Sequence, residues 1–387
     1  MRRLILTMAT AIAVLATLVP VAAAGQGGGS VTLEASKKSL KFGKSVHLKG
    51  RVRPAVDNEL VTIVDGEDGP IAQTRTDEDG RYALWLKPRN NVRVRAETAT
   101  VNSTFVPIKV AAIAKVRMGT VNLFGRAKTS GLVKPAHPGR TITVRLYRNG
   151  RLAQKNEVRL RDGGRRFNAG FYIRKPGAFK AKVTFGSKDL KKGSDATGRR
   201  RTSLPVLSLG SRGGFVKRLE KRLIRLGYVI PKADKSFDIP TRDAMYAFHK
   251  VQRRPRSGVV TESTWRALAN PKRPKPRVRS PRNHIEIDQT RQVIFWVRRG
   301  KVKWILHTST GAGGATRDGV FHVTREIHGY SPGRLYYPSY FDGLRAIHGW
   351  PEVPNYPASH GCARVPMWAA VWANNRSPIG MQVRVYH

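Results

Sequence analysis

Along most of this 387-residue chain apolar residues recur at every second position, and the period lengthens to about 3.6 only between Leu207 and residue 270 or so. A period of two demands strands with one dry face, so most of the chain must fold as sheets. Between residues 30 and 110, Val46, Leu48 and Val52 share a face, with His47, Lys49 and Arg51 between them; Tyr82, Leu84 and Leu86 repeat the pattern after the turn signal Asp79-Gly80. In the next segment Ile142, Val144 and Leu146 alternate up to Asn149-Gly150, a strong hairpin signal. Phe179, Ala181, Val183 and Phe185 then line one face, with Lys180 and Lys182 on the other. These patterns predict a mainly β multidomain protein beginning with two antiparallel, immunoglobulin-like β-sandwiches, at 25–110 and 111–202. Neither holds a constellation of chemically competent side chains, and both read as spacers or contact modules.

The helical period occupies 203–271. Val216, Leu219, Leu223 and Leu226 form one stripe, and Gly227 stands at the C-cap position. A second helix is expected with Thr241 as N-cap and Ala244, Met245, Phe248 and Val251 inward; a third follows Thr261, with Trp265 and Leu268 inward. Lys272 to Arg282 then carries six cations and three prolines, which predicts a stiff, extended linker over 272–283. Beyond it, from His284, the two-residue period returns in Ile285 and Ile287, then Val293, Phe295 and Val297. A single cysteine excludes intramolecular disulfides, so every module must be held by its own packing.

Seventy-two Lys and Arg against 25 Asp and Glu leave a formal charge of +47, which implies a polyanionic partner without saying which. Met1-Arg2-Arg3, the apolar run Leu4–Val21 and Ala22-Ala23-Ala24 have the three parts of a secretory signal, residues 1–24. An uncleaved signal would instead anchor the chain in a membrane. Export turns the charge toward envelope polymers, whose carboxylates and phosphates supply the counter-charge, and away from nucleic acid, for which no recognition motif is present. The expected location is the cell wall or the medium.

In the helical segment Gly210, Gly213, Val216, Leu219, Leu223, Leu226-Gly227-Tyr228, Phe237, Thr241, Ala244, Phe248, Gly258-Val259-Val260 and Thr264-Trp265 resemble the peptidoglycan-binding domain type 1 family. Glu220 and His249 stand where that family often carries Gln. The resemblance falls mainly on core and cap positions, so it implies a fold more than a ligand.

Chemistry concentrates in residues 284–387, which hold seven of the ten histidines and the only cysteine. Ile347-His348-Gly349 is followed by Ser359-His360-Gly361-Cys362-Ala363-Arg364-Val365. A thiolate is a strong nucleophile, and a neighbouring imidazole lowers a thiol's pKa enough to populate it. His348 and His360 are both candidate partners. Gly349 and Gly361 would let the backbone bend close to a substrate. Free amides at Gly361 and Cys362 would form an oxyanion hole. The competing readings are a cysteine buried as a small apolar residue, a zinc site of His348, His360 and Cys362, and histidines that merely satisfy buried polar groups.

The same residues resemble the signature of the L,D-transpeptidase (YkuD-like) catalytic domain. His284-Ile285-Glu286-Ile287-Asp288, Ser309-Thr310-Gly311, Thr316–Phe321 and Tyr336-Tyr337-Pro338 extend the likeness over 284–387, and imply a mostly-β catalytic domain. The resemblance implies Cys362 as nucleophile and His348 as base, oriented by the Gly349 carbonyl. It places His360 in the pocket or in proton transfer, and Ser359, Gly361 and Arg364 in support of the loop, with Arg364 also able to meet a substrate carboxylate. The implied donor is a peptidoglycan tetrapeptide stem, cleaved before its terminal D-alanine. A side-chain amine of a neighbouring stem is the implied acceptor, giving a 3→3 cross-link with no metal or other cofactor. Three departures stand out: His348 and Cys362 are closer in sequence than is common, Val365-Pro366-Met367-Trp368 lacks an Asn or Asp often found there, and Arg317 replaces a frequent proline.

Water in place of the amine would make the same site an L,D-carboxypeptidase, and loss of chemistry would leave a peptidoglycan-binding scaffold. A sortase-like protein would set its histidine farther upstream. A papain-related wall peptidase would place Cys before His.

Overall fold

Strands form wherever the two-residue period runs in the computed structural model, which describes residues 28–387. The expected leader, 1–24, lies outside the described residues. The chain forms two compact units, one of residues up to Ala111 with Ser187–Lys191, the other of Ala112–Gly186 with Lys192–His387.

In the first unit Val46–Arg53 is flanked by Arg81–Leu86 and by two short strands, Ser30–Val31 and Glu34–Ala35. A second sheet runs in the order Gly69–Arg75, Leu60–Asp65, Val92–Glu97, Val106–Ala111, Ser39–Lys41. Leu48 and Val52 from one sheet, and Ile63 and Ile108 from the other, are buried. The expected all-antiparallel sandwich is corrected at one edge, where Ser39–Lys41 runs parallel to Val106–Ala111.

The second unit begins with the other sandwich. One sheet holds Ile113–Met118, Arg126–Lys134 and Arg166–Tyr172; the other holds Arg151–Arg159, Thr141–Arg148 and Ala178–Ser187. Asn149 and Gly150 both take positive φ, at 50° and 85°, the backbone that a two-residue hairpin turn requires. Phe179, Ala181, Val183 and Phe185 are buried while Lys180 and Lys182 are exposed, so here the alternation reports a sheet with one wet face.

Three helices follow: α1 (Gly214–Leu226), α2 (Ile239–Val251) and α3 (Glu262–Ala269). Gly227 closes α1 in the left-handed conformation, where a side chain would be strained. Thr261 caps α3, but the start of α2 is corrected: Asp238 is the N-cap, and its Oδ1 accepts the Thr241 amide at 3.0 Å. Glu220 and His249 are both buried. Glu220 accepts the Lys235 amide at 3.1 Å, and His249 Nε2 lies 3.3 Å from Thr264 Oγ1.

The linker is also corrected. Lys272 is bracketed by Gln252, and the amides of Arg277 and Val278 donate to Glu286 Oε1 at 2.7 and 3.2 Å. Glu286 is fully buried, so these backbone donors satisfy a carboxylate that would otherwise be costly, and they hold the segment against the last domain.

That domain has two sheets. The first runs Lys301–His307, Val293–Arg298, His284–Asp288, Gln382–Tyr386, Gly319–His322. The second runs Arg325–Glu326, Tyr336–Asp342, Arg345–Trp350, Ala363–Pro366, with α4 (Met367–Asn374) following directly from its last strand. Ile285, Ile287 and Ile294 meet Ile347, Ala363, Val365 and Ala370 in a common core. Helix α2 packs on Val293–Arg298 and Lys301–His307 of the first sheet. Residues 284–288 and 293–297 are therefore buried at every position, not at every second one.

Candidate active site

Cys362 immediately precedes the strand Ala363–Pro366, which runs parallel to Arg345–Trp350 with Ile347 opposite Ala363 and His348 opposite Arg364. Ile347, Ala363 and Val365 point into the core. Because side chains alternate along a strand, His348 and Arg364 project from the opposite face, and continuing the register sets Cys362 on that face beside Ala346, diagonal to His348.

His348 is buried, and its Nδ1 lies 2.9 Å from the Gly349 carbonyl. A carbonyl only accepts, so Nδ1 carries the proton and Nε2 keeps its lone pair. Burial holds the imidazole's pKa down at about 4; the Gly349 carbonyl partly opposes this, and Arg364 adds to it. His348 is thus a neutral base across the neutral range. Trp350 packs its edge against the ring, and the Arg364 guanidinium lies over Trp350 at 5.1 Å.

Cys362 is free and half-buried, with Sγ 3.8 Å from the Leu344 carbonyl. Burial pushes the thiol pKa up, against the smaller pull of the Ala346 amide, Arg364 and Arg345. The expectation that a neighbouring imidazole lowers the thiol's pKa is therefore corrected: desolvation outweighs the cationic neighbours, and the resting pair is thiol and neutral imidazole.

The loop before the cysteine is fixed by its own hydrogen bonds. Ser359 Oγ donates to the Cys362 carbonyl at 2.6 Å and accepts the Gly361 amide at 3.1 Å. The Gly361 amide is thus not free for an oxyanion, which corrects that expectation. The Cys362 amide has no backbone acceptor among the described residues. Gly361 has φ +133°, and a Cβ there would stand 2.9 Å from Arg345 Nε and 3.0 Å from the Ala315 carbonyl. Gly349 serves close packing instead of a bend: a Cβ there would fall 2.6 Å from Ala370 Cβ of α4. His360 is exposed and has no hydrogen-bond partner among the described residues. No group of three His, Cys, Asp or Glu side chains among the described residues is placed to hold a metal ion.

Several supporting residues were not singled out from sequence. Thr316 Oγ1 donates to the Gly361 carbonyl at 2.8 Å and accepts the Gly311 amide at the same distance. The Thr310 carbonyl accepts the amides of both Ala358 and Ser359. Arg345 donates to the Ala315 carbonyl and pairs with Asp342 at 3.0 Å. Arg317, noted only for replacing a proline, forms a second ion pair with Asp342. The segments Ser309–Gly311 and Thr316–Phe321 already carried the family resemblance, and that was the available signal for the two threonines.

The L,D-transpeptidase catalytic domain profile matches residues 282–385, and that of a peptidoglycan binding domain matches 212–268. The crystal structure of an L,D-transpeptidase (residues 123–326) from Xylanimonas cellulosilytica is 37% identical over 48% of this chain and 98% of its own, with a TM-score of 0.44. The chain belongs to the L,D-transpeptidase family. An L,D-transpeptidase from Stackebrandtia nassauensis is also similar, at 22% identity over 47% of this chain and 95% of its own, with a TM-score of 0.30. No curated protein matches the chain. Within this L,D-transpeptidase, the two profile matches cover the helical module and the last domain.

Proposed function

We propose that this L,D-transpeptidase is exported and forms 3→3 cross-links in peptidoglycan through a thioester on Cys362. The observation that carries the reading is the hydrogen bond from His348 Nδ1 to the Gly349 carbonyl, which leaves Nε2 as a base on the face shared with Cys362. In this mechanism Sγ attacks the carbonyl of the third stem residue as its proton passes to His348. The Cys362 amide faces the developing oxyanion. His348 then returns the proton to the departing D-alanine amine, which leaves a thioester. The side-chain amine of a second stem attacks that thioester, its proton goes to His348, and the thiol is regenerated as the new peptide bond forms. One peptide bond is exchanged for another, so no external energy source is required. Ser359, Gly361 and Thr316 hold the loop, and Arg364 faces the substrate's carboxylate.

Mass spectrometry of products from disaccharide-tetrapeptide tests this reading. A 3→3 dimer with free D-alanine is expected from the mature chain and from no Cys362→Ala sample. Tripeptide without dimer would make the protein an L,D-carboxypeptidase, and no Cys362-dependent product would leave a binding scaffold.

The anionic partner is an envelope polymer. Supporting this is a cleft of about 760 Å³ between helical module and catalytic domain, lined by Arg253, Arg254, Arg256, Lys275, Arg277 and Arg291 with Asp288 as its one acidic side chain. Raising salt from roughly 0.05 to 0.5 M should release the protein from purified sacculi, because screening shortens the reach of these charges. Retention unchanged by salt would remove charge as the anchor.

A further inference from the structure

Lys250 is the one lysine whose side chain is buried where two modules of the second unit meet. It sits near the end of α2, and its Nζ meets three acceptors on the catalytic domain: the Gln292 carbonyl at 2.9 Å, the Thr308 carbonyl at 3.1 Å and His307 Nδ1 at 2.6 Å. Burial pushes the Lys250 pKa well below the ordinary value, and all three contacts are acceptors, so every proton that Nζ carries finds a partner. His307, itself buried, passes the contact on: its Nε2 lies 2.8 Å from the Val353 carbonyl. A carbonyl accepts, so Nε2 carries the imidazole proton and Nδ1 is the acceptor that faces Lys250.

Val353 belongs to the loop 351–358, which connects the His348 strand to the Ser359–Cys362 motif. A second tether reaches the same loop from the helical module. Arg256 donates to the Asn355 carbonyl and, at 3.0 Å, to the Thr290 carbonyl, while Asn355 Nδ2 donates back to the Arg256 carbonyl at 3.1 Å. The far end of the loop rests on the strand segment that Lys250 grips: Ser309 Oγ donates to the Tyr356 carbonyl at 2.7 Å, and the amides of Ala358 and Ser359 donate to Thr310. Gln292, whose carbonyl also takes Lys250, fixes Thr310 through both its amide atoms.

We infer that the helical module is a structural part of the active site, and that Lys250 and Arg256 are positioning residues which hold the loop between His348 and Cys362 in its working geometry. The module's match to a peptidoglycan binding domain assigns it no such role. The inference rests on the proposed use of His348 and Cys362, and it predicts that losing the tethers displaces the base from the nucleophile without removing either.

The test uses the full chain with Lys250→Met, Arg256→Ala and Asn355→Ala, the last two also combined. Three quantities are read: kcat and KM for the tetrapeptide donor with any Cys362-dependent product counted, hydrogen exchange of peptides spanning 351–362, and retention on sacculi. Lys250→Met and Arg256→Ala should each lower kcat roughly tenfold or more with KM little changed, since small misplacements of reacting groups are costly. Amides of the loop should exchange roughly tenfold faster. The Arg256→Ala and Asn355→Ala losses should be largest in the double variant, because each side chain supplies a different hydrogen bond of the tether, to the other residue's carbonyl. Unaltered kcat and loop exchange in folded Arg256→Ala would overturn the inference, whatever the retention on sacculi. Should Lys250→Met fail to fold, the half-buried end of the system, Arg256 with Asn355, decides alone. A wild-type chain inactive on the donor would sink the proposed activity instead, while loop exchange would still report on the tethers.

Discussion

The second sandwich and the first sheet of the catalytic domain are both built from short apolar strands, yet they spend their second face differently. In Thr141–Arg148 and Ala178–Ser187 the alternate positions meet water, and the polar residues there are lysines, arginines and threonines. In His284–Asp288 and Val293–Arg298 both faces are covered, and polar residues such as His284 and Glu286 are buried in the strand itself, with Gln292 just before the second strand. Burying such groups is costly unless each finds a partner, so they are tied into specific networks. The wet-faced sheet can therefore vary its polar positions freely. The double-covered sheet cannot, and it is from such networks that the catalytic loop hangs.

By that contrast, buried polar groups near Cys362 carry rate while exposed ones carry little. His348→Ala should lower the cross-linking rate by roughly 10²–10⁴-fold, the range for losing a general base. His360→Ala should change it only a few-fold, because His360 is exposed and has no hydrogen-bond partner among the described residues. Steady-state rates for the two variants, with alkylation of Cys362 by iodoacetamide as a control for an intact site, settle the order. Equal losses would erase the distinction between the buried and the exposed histidine.

The same contrast explains what was legible in the sequence. Alternation located both sandwiches because one wet face keeps the period visible; Asn149-Gly150 even specified the turn. It also found Ile285 and Ile287, but said nothing of Glu286 between them, whose burial is supported by two linker amides together with His284 and Tyr386. Asp238 and Thr241 are both competent caps three residues apart, and Pro240 suits the first turn of a helix starting after Asp238, so local chemistry left two starts for α2. Cys362, His348, Ser359 and Gly361 form a compact motif and were found together. Lys250 and His307 were not, because they are 57 residues apart and meet only once α2 lies on the catalytic sheet. Contacts between modules leave no local pattern.

The smallest effect is the response of the helical module and the catalytic domain to acid. Burial holds His348 and His249 at about 4 and pushes His307 the same way. Each has a folded-state pKa below the ordinary 6.5, so the unfolded chain binds more protons between about pH 4 and 6.5. The stabilisation from their neutral forms is complete above that window and is lost as pH falls through it, by up to about 3 kcal/mol for His249 or His348. Six of the seven tryptophans lie at or beyond Trp265 and none lies in the second sandwich, so denaturant curves followed by tryptophan emission report on the helical and catalytic modules. Their midpoint should fall between pH 7 and pH 4.5. His249→Gln should flatten that fall without touching the site, since Gln has no proton to take up. An unchanged slope in His249→Gln would mean that His249 is not held neutral in the folded state, and that the double-covered region draws its acid sensitivity from elsewhere.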